Sequence, residues 1–177
     1  MKNIYIRSLY SSGFSSMMCS FYSTNLSIGF WPWISKDQMG RDRYDKNRFV
    51  STTINDESAA SLYFLSKQII GGTLNNPAQY LIRCNKQTSL LFENDAGTTR
   101  LIIEKGKDKI VFQFPIHEYK VKEDGRLVTK TIQVGLIVFT EILEAYLTAV
   151  GADRQQDKQV SAEFSGSQPQ NASSVWK

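Results

Sequence analysis

Between residues 26 and 34 the side chains alternate. Leu26, Ile28, Phe30 and Ile34 fall on one side of an extended chain, and Trp31 and Trp33 fall on the other. A period of two marks a strand with one buried face, so the first four belong to a core and the tryptophans do not. Residues 16–23 are equally β-prone and are separated from this strand only by Thr24-Asn25, which predicts a hairpin. A charged loop follows at 35–47, then a strand at 48–53. There the period lengthens: Ala60, Phe64, Leu65 and Ile69 share one face of a predicted helix that Thr53 and Asp56 open as a capping box and Gly71-Gly72 closes. Residues 73–77, with Asn75-Asn76-Pro77, read as a connector.

The second half repeats this order. Strands are predicted at 79–84, 88–93 and 100–105, with turns at 94–98 and at Gly106-Lys107-Asp108. A long strand runs from Lys109, the Glu123-Asp124-Gly125 hairpin reverses it, and a strand at 126–131 leads into a helix at 132–150 that ends at Gly151. Arg48, Val50, Thr53 and Ile54 recur in the same relative places as Arg126, Val128, Thr131 and Ile132. Phe64-Leu65 stays in phase with Ile142-Leu143, and Pro32 matches Pro115. The expected fold is therefore α+β: a duplicated strand-strand-strand-strand-helix unit, about 14–72 and 79–151, forming two antiparallel sheets with helices packed on one side and the other face open. Residues 1–152 form one pseudo-duplicated domain in this reading.

Composition narrows the function classes. A chain of 177 residues is long enough for one compact domain. Its 21 basic and 17 acidic side chains give a formal charge of +4, which favours a polyanionic partner without requiring one. Cys19 and Cys84 are far apart and in no metal-binding spacing, so no metal, cofactor or disulfide framework is expected. No run approaches the roughly 18 apolar residues that cross a bilayer, so the chain reads as soluble with no membrane partner. The Ser-rich stretch before Asp37, with Lys2 and Arg7, has a composition shared with transit peptides but reads better as a first strand. Residues 153–177, rich in Gln, Ser and Asn, are expected to form a flexible, solvated tail, with docking of Val175 and Trp176 onto a protein partner as the alternative.

Catalysis is not expected. His117 stands alone, without a neighbouring nucleophile, and no phosphate loop or paired-carboxylate motif is present. The open sheet face offers more. Beside Trp31 and Trp33 the first hairpin brings Arg41, Arg43, Tyr44, Lys46 and Arg48; the second brings Phe112, Phe114, Tyr119, Lys120, Lys122, Arg126 and Lys130. Aromatic rings interleaved with cations suit single-strand binding, because every base has a π-face and every phosphate a charge. The same aromatics would serve as core, and Asp37, Asp42, Asp45, Glu118, Glu123 and Asp124 dilute the cations.

A duplicated four-strand-plus-helix unit with basic hairpins resembles the Whirly-type fold of plant Whirly proteins, kinetoplastid mitochondrial RNA-binding proteins and phage single-strand-binding proteins. The resemblance is one of topology, over about residues 14–151. The plant subgroup's Lys-Gly-Lys-Ala-Ala-Leu run is absent, with Glu104-Lys105-Gly106-Lys107 as a faint echo. It implies binding of single-stranded DNA or RNA across sheets and hairpins by a homo-oligomer packed through its helices. We therefore expect a non-catalytic single-stranded DNA-binding protein, with RNA as a second substrate, serving replication, recombination or transcription. Its setting would be intracellular: host cytoplasm for a phage protein, with the mitochondrion second. The alternative is a structural or assembly subunit, of a virion or a complex, that uses the aromatic face as a protein interface.

Overall fold

Strand alternation builds the first sheet. In this computed structural model, which describes residues 5–22, 24–74 and 77–165 and the side chains of these except Tyr22 and 156–165, three antiparallel strands come first: β1 (Tyr5–Ser11), β2 (Ser15–Tyr22) and β3 (Asn25–Lys36). The short β4 (Asp42–Tyr44) pairs with the far end of β3, and β5 (Val50–Ile54) pairs with its near end. Their inward rows are Phe21–Leu26–Ile54 and Leu9–Met17–Phe30–Val50, and Leu26, Met17 and Phe30 are fully buried. The outward rows are Ile6–Ser20–Ser27–Thr53 and Ser8–Met18–Gly29–Ser51, mostly small or polar, as suits a face left to solvent.

Helix α1 (Asp56–Ile70) starts after Asn55, whose side chain accepts a hydrogen bond from the Ser58 amide at 3.0 Å. Thr53 is a strand residue, so it is not the cap. The buried stripe is Ala59, Leu62, Ser66 and Ile69 rather than Ala60, Phe64, Leu65 and Ile69; Phe64 points to solvent. A buried serine in the stripe is what hid it from a search for apolar periodicity.

The second sheet runs β6 (Ala78–Arg83), β7 (Thr88–Asp95), β8 (Thr98–Lys105) and β9 (Asp108–Gln113), each antiparallel to the next. Its inward rows are Ile82–Leu90–Ile103–Ile110 and Tyr80–Phe92–Leu101–Phe112. The edge carbonyls of β9 receive side chains from the first sheet: Ser15 Oγ donates to Val111 O at 2.8 Å and Ser11 Oγ to Gln113 O at 2.6 Å. Both inward faces and both helices share one continuous core. Phe114 meets Phe92, Phe112 and Phe139 there.

Pro115 ends β9, because proline gives no ladder amide. The predicted single long strand is therefore two, and β10 (His117–Glu123) pairs only with β11 (Arg126–Ile132), as a separate two-stranded ribbon. Its turn, Asp124-Gly125, has φ of 49° and 82°, the positive pair that a two-residue hairpin of matching twist requires. Nearly every ribbon side chain is exposed. The recurring Arg-x-Val-x-x-Thr-Ile pattern thus occupies two environments: Val50 and Ile54 are buried in β5, whereas Val128 and Ile132 are exposed in β11.

Helix α2 (Val134–Ser165) does not stop at Gly151, so the expected flexible tail is helical through Ser165; Val175 and Trp176 lie outside the described residues. Its segment Val134–Gln155, of mean hydropathy 1.6, is long and apolar enough to cross a bilayer by length and composition, contrary to the expectation that no segment would be. A count of uninterrupted apolar residues misses it because Glu141 and Glu144 intervene. Its apolarity has an internal use: Leu136, Phe139, Ile142, Leu143, Tyr146 and Val150 are buried at helical spacing. The helix packs on α1 and reaches the first sheet, where Tyr146 stands edge-on to Phe21 and donates its hydroxyl to the Thr24 carbonyl.

These placements make opposite predictions for two phenylalanines. Phe114→Ala should lower unfolding free energy by about 3–5 kcal/mol. Phe64→Ser should change it by no more than about 0.5 kcal/mol. Denaturant titration of both variants measures the difference, and equal losses would contradict the assigned faces.

Candidate nucleic-acid interface

The next outward row of the first sheet is Tyr10–Ser16–Trp31, three residues brought side by side by the β1–β2 and β2–β3 register. Trp31 follows Phe30 in the chain, so the burial of Phe30 forces it to the opposite face. With Tyr44, Ser8 and Lys46 these side chains line a groove of about 410 Å³. Tyr10 is 62% exposed, and its ring lies 5.8 Å from that of Tyr44.

Phe49 backs the groove. Its ring lies 4.4 Å from that of Trp31, tilted by 31°, and it can do so because Gly29 leaves room: a Cβ there would come within 2.2 Å of the Phe49 ring. Gly29 is thus fixed by close approach, not by backbone angle. The Tyr44 hydroxyl is buried without a hydrogen-bond partner. Burial, with Asp42 and Tyr10 adding to it, pushes its pKa up to about 12.

The other first-hairpin candidates divide by partner. Lys46 is exposed and lines the groove, and Arg43 is exposed on β4. Arg41 is bound at 2.8 Å to Asp37, whose carboxylate also caps the Met39 and Arg41 amides; the Arg41 amide above all holds that carboxyl below the usual range. Arg48 reaches Asp108 at 3.2 Å across the two sheets, an exposed pair of the kind that contributes little and breaks readily for a phosphate. Trp33 is partly buried and gives its indole N–H to Asp42 at 2.9 Å, a bond that, with one from Ser12, keeps Asp42 below the usual carboxyl range. It is not among the groove residues.

Two expected contact residues are corrected. Phe112 and Phe114 are 0% and 1% exposed, on the inward face of the second sheet and its continuation, and cannot stack on a surface-bound base. The remaining second-hairpin candidates are exposed but split by the ribbon. Tyr119 lies opposite Lys130, on the face shared with Arg126, while Lys120 and Lys122 lie on the reverse face. Lys130 is also ion-paired with Glu123. His117 sits exposed on the same ribbon. Among the described residues, no three His, Cys, Asp or Glu side chains converge as metal ligands do.

Sequence reasoning missed Tyr10, Ser16, Phe49 and Gly29. The alternation of Tyr5, Arg7 and Leu9 against Ile6, Ser8 and Tyr10 was the available signal for β1. Nothing in one sequence says which residue of β1 stands beside Ser16.

Gly29→Ala should displace the exposed end of the Phe49 ring, at no more than the low end of the about 1–3 kcal/mol that overpacking costs, and shift tryptophan emission; unchanged emission would contradict the contact. The Tyr44 phenol should remain protonated in the folded protein above its ordinary value near 10. Since the folded-state pKa is the raised one, its stabilisation is complete below pH about 10 and lost as pH rises towards about 12. Stability measured over that window should fall less in Tyr44→Phe than in the parent.

Comparison with protein-family models, with curated proteins and with solved structures finds no match.

Proposed function

We propose that this protein binds single-stranded nucleic acid without catalysis, DNA first and RNA second, with the outward face of the first sheet as its main contact surface. One observation carries the reading: Tyr10, Trp31 and Tyr44 stand around an open groove, with Lys46 at the groove and Arg43 exposed beside Tyr44. Large rings left in contact with water are costly unless a partner covers them, and a base covers a ring while its phosphate meets a cation. The exposed ribbon supports a second contact, in which Tyr119, Arg126 and Lys130 share one face of an extended arm.

Duplication enters this reading as a doubled order of elements with different outcomes: the first return strand closes the core and the second swings out as the ribbon. The Whirly-type likeness, the homo-oligomer and an intracellular role in replication, recombination or transcription belong to the same proposal. A second reading, an assembly subunit, draws on Ile116, Leu127 and Ile132, apolar side chains exposed on or beside the ribbon and suited to a protein partner.

Titrating tryptophan fluorescence with single strands, duplex and RNA tests the choice. Single strands should quench and duplex should not. The logarithm of affinity should fall linearly with that of salt, by about 0.7 per phosphate neutralised. Trp31→Ala should cost about 1–3 kcal/mol of binding, and Trp33→Ala less, because Asp42 already holds that indole. A salt-stable oligomer in light scattering, indifferent to every strand, would instead favour the assembly subunit.

A further inference from the structure

We propose that the row Tyr10–Ser16–Trp31 is a slot for one unstacked nucleobase, inserted edge-down between the two rings and discriminated by the Ser16 hydroxyl. The inference rests on the single-strand reading and goes beyond it: stacking alone is indifferent to base identity, and this slot is not.

Spacing is the first reason. Tyr10 and Trp31 stand on β1 and β3, two strands apart, which at about 4.8 Å per strand separates their stems by about 9.6 Å. A base between two rings, at about 3.4 Å per stacking step, needs about 6.8 Å. Stems at that spacing leave room for one base and not for two, and the Tyr44 ring, 5.8 Å from that of Tyr10, bounds the same space. Trp31 is braced on its far side by Phe49, so it is the fixed wall; Tyr10, exposed on the edge strand, is the wall that adjusts. The groove's volume of about 410 Å³ lies near the lower end of small-ligand sites, roughly 300–1,000 Å³.

The floor is the second reason. Ser16 is only 4% exposed and lines the groove, and among the described residues its hydroxyl has no hydrogen-bond partner. A hydroxyl open at the floor of a groove can both donate to and accept from the edge of a base. The Tyr44 hydroxyl, in the same wall, is also without a partner. The edges of the bases differ in donors and acceptors, so one floor hydroxyl favours some over others. Lys46 at the groove takes an adjacent phosphate.

The experiment compares affinities for oligo-dA, oligo-dC and oligo-dT in the parent, Ser16→Ala and Tyr10→Ala, with Ser16→Gly replacing the alanine variant if that one misfolds. The parent should separate best from worst by about 3- to 10-fold, the range one net hydrogen bond gives. Loss of the Ser16 hydroxyl should compress that range to within about 2-fold. Tyr10→Ala should weaken all three strands by about 5- to 150-fold, the loss of one stack. Equal parent affinities, or a ranking that survives removal of the hydroxyl, would overturn the slot while leaving single-strand binding intact. Failure of the parent to bind any strand would overturn the single-strand reading itself.

Discussion

Phe30 and Trp31 are consecutive residues of β3 and cannot share a face of it. Phe30 is fully buried against the core, so Trp31 is delivered to the outer surface. The same alternation, carried across the register to β2 and β1, sends Met17 and Leu9 inward and Ser16 and Tyr10 outward. One parity choice made by the core thus assembles an aromatic row on the opposite side, with no residue of that row contributing to the choice.

What keeps the row open is a second constraint. A lone indole on a sheet would lie down on its neighbours; here Phe49 occupies the space over Gly29 and lies tilted against Trp31. On its other side Trp31 lines the groove with Tyr10, Ser16 and Tyr44. The helices, meanwhile, have their apolar stripes committed elsewhere: α1 and α2 pack on each other, and Tyr146 and Phe139 reach the inward side of the sheets. The packed core and the aromatic row therefore occupy opposite faces of one sheet.

The elements were largely legible because their signals are local: alternation in β3 and β7, the Asp124-Gly125 turn, the helical spacing in α1 and α2. The faces were legible only where the pattern was clean. Buried Ser66 disguised the true stripe of α1, and Ile34, assigned to the core, is 52% exposed at the register shift between Trp33 and Ser35 where β3 pairs with β4. The error at Phe112 and Phe114 has a definite cause. Matching Pro32 to Pro115 sets Trp31 against Phe114 and core Phe30 against Gln113, which reverses the parity between the halves. Pro32 lies inside β3, whereas Pro115 ends β9 and releases the chain as a ribbon, so the prolines match in sequence and not in role. Trp31, Tyr44 and Lys46, which the structure brings to one groove, stood out in the sequence because they belong to one hairpin. Tyr10 and Ser16 join them only through register, a long-range property that composition does not encode.

The claim that the outward face of the first sheet is the contact surface is tested most directly by photo-cross-linking the protein to an oligothymidine strand and mapping the modified residues. The account predicts adducts at Tyr10, Trp31 or Tyr44, with any further adduct at Tyr119 on the ribbon. Adducts confined to other surfaces, such as the outer sides of α1 and α2, would contradict it.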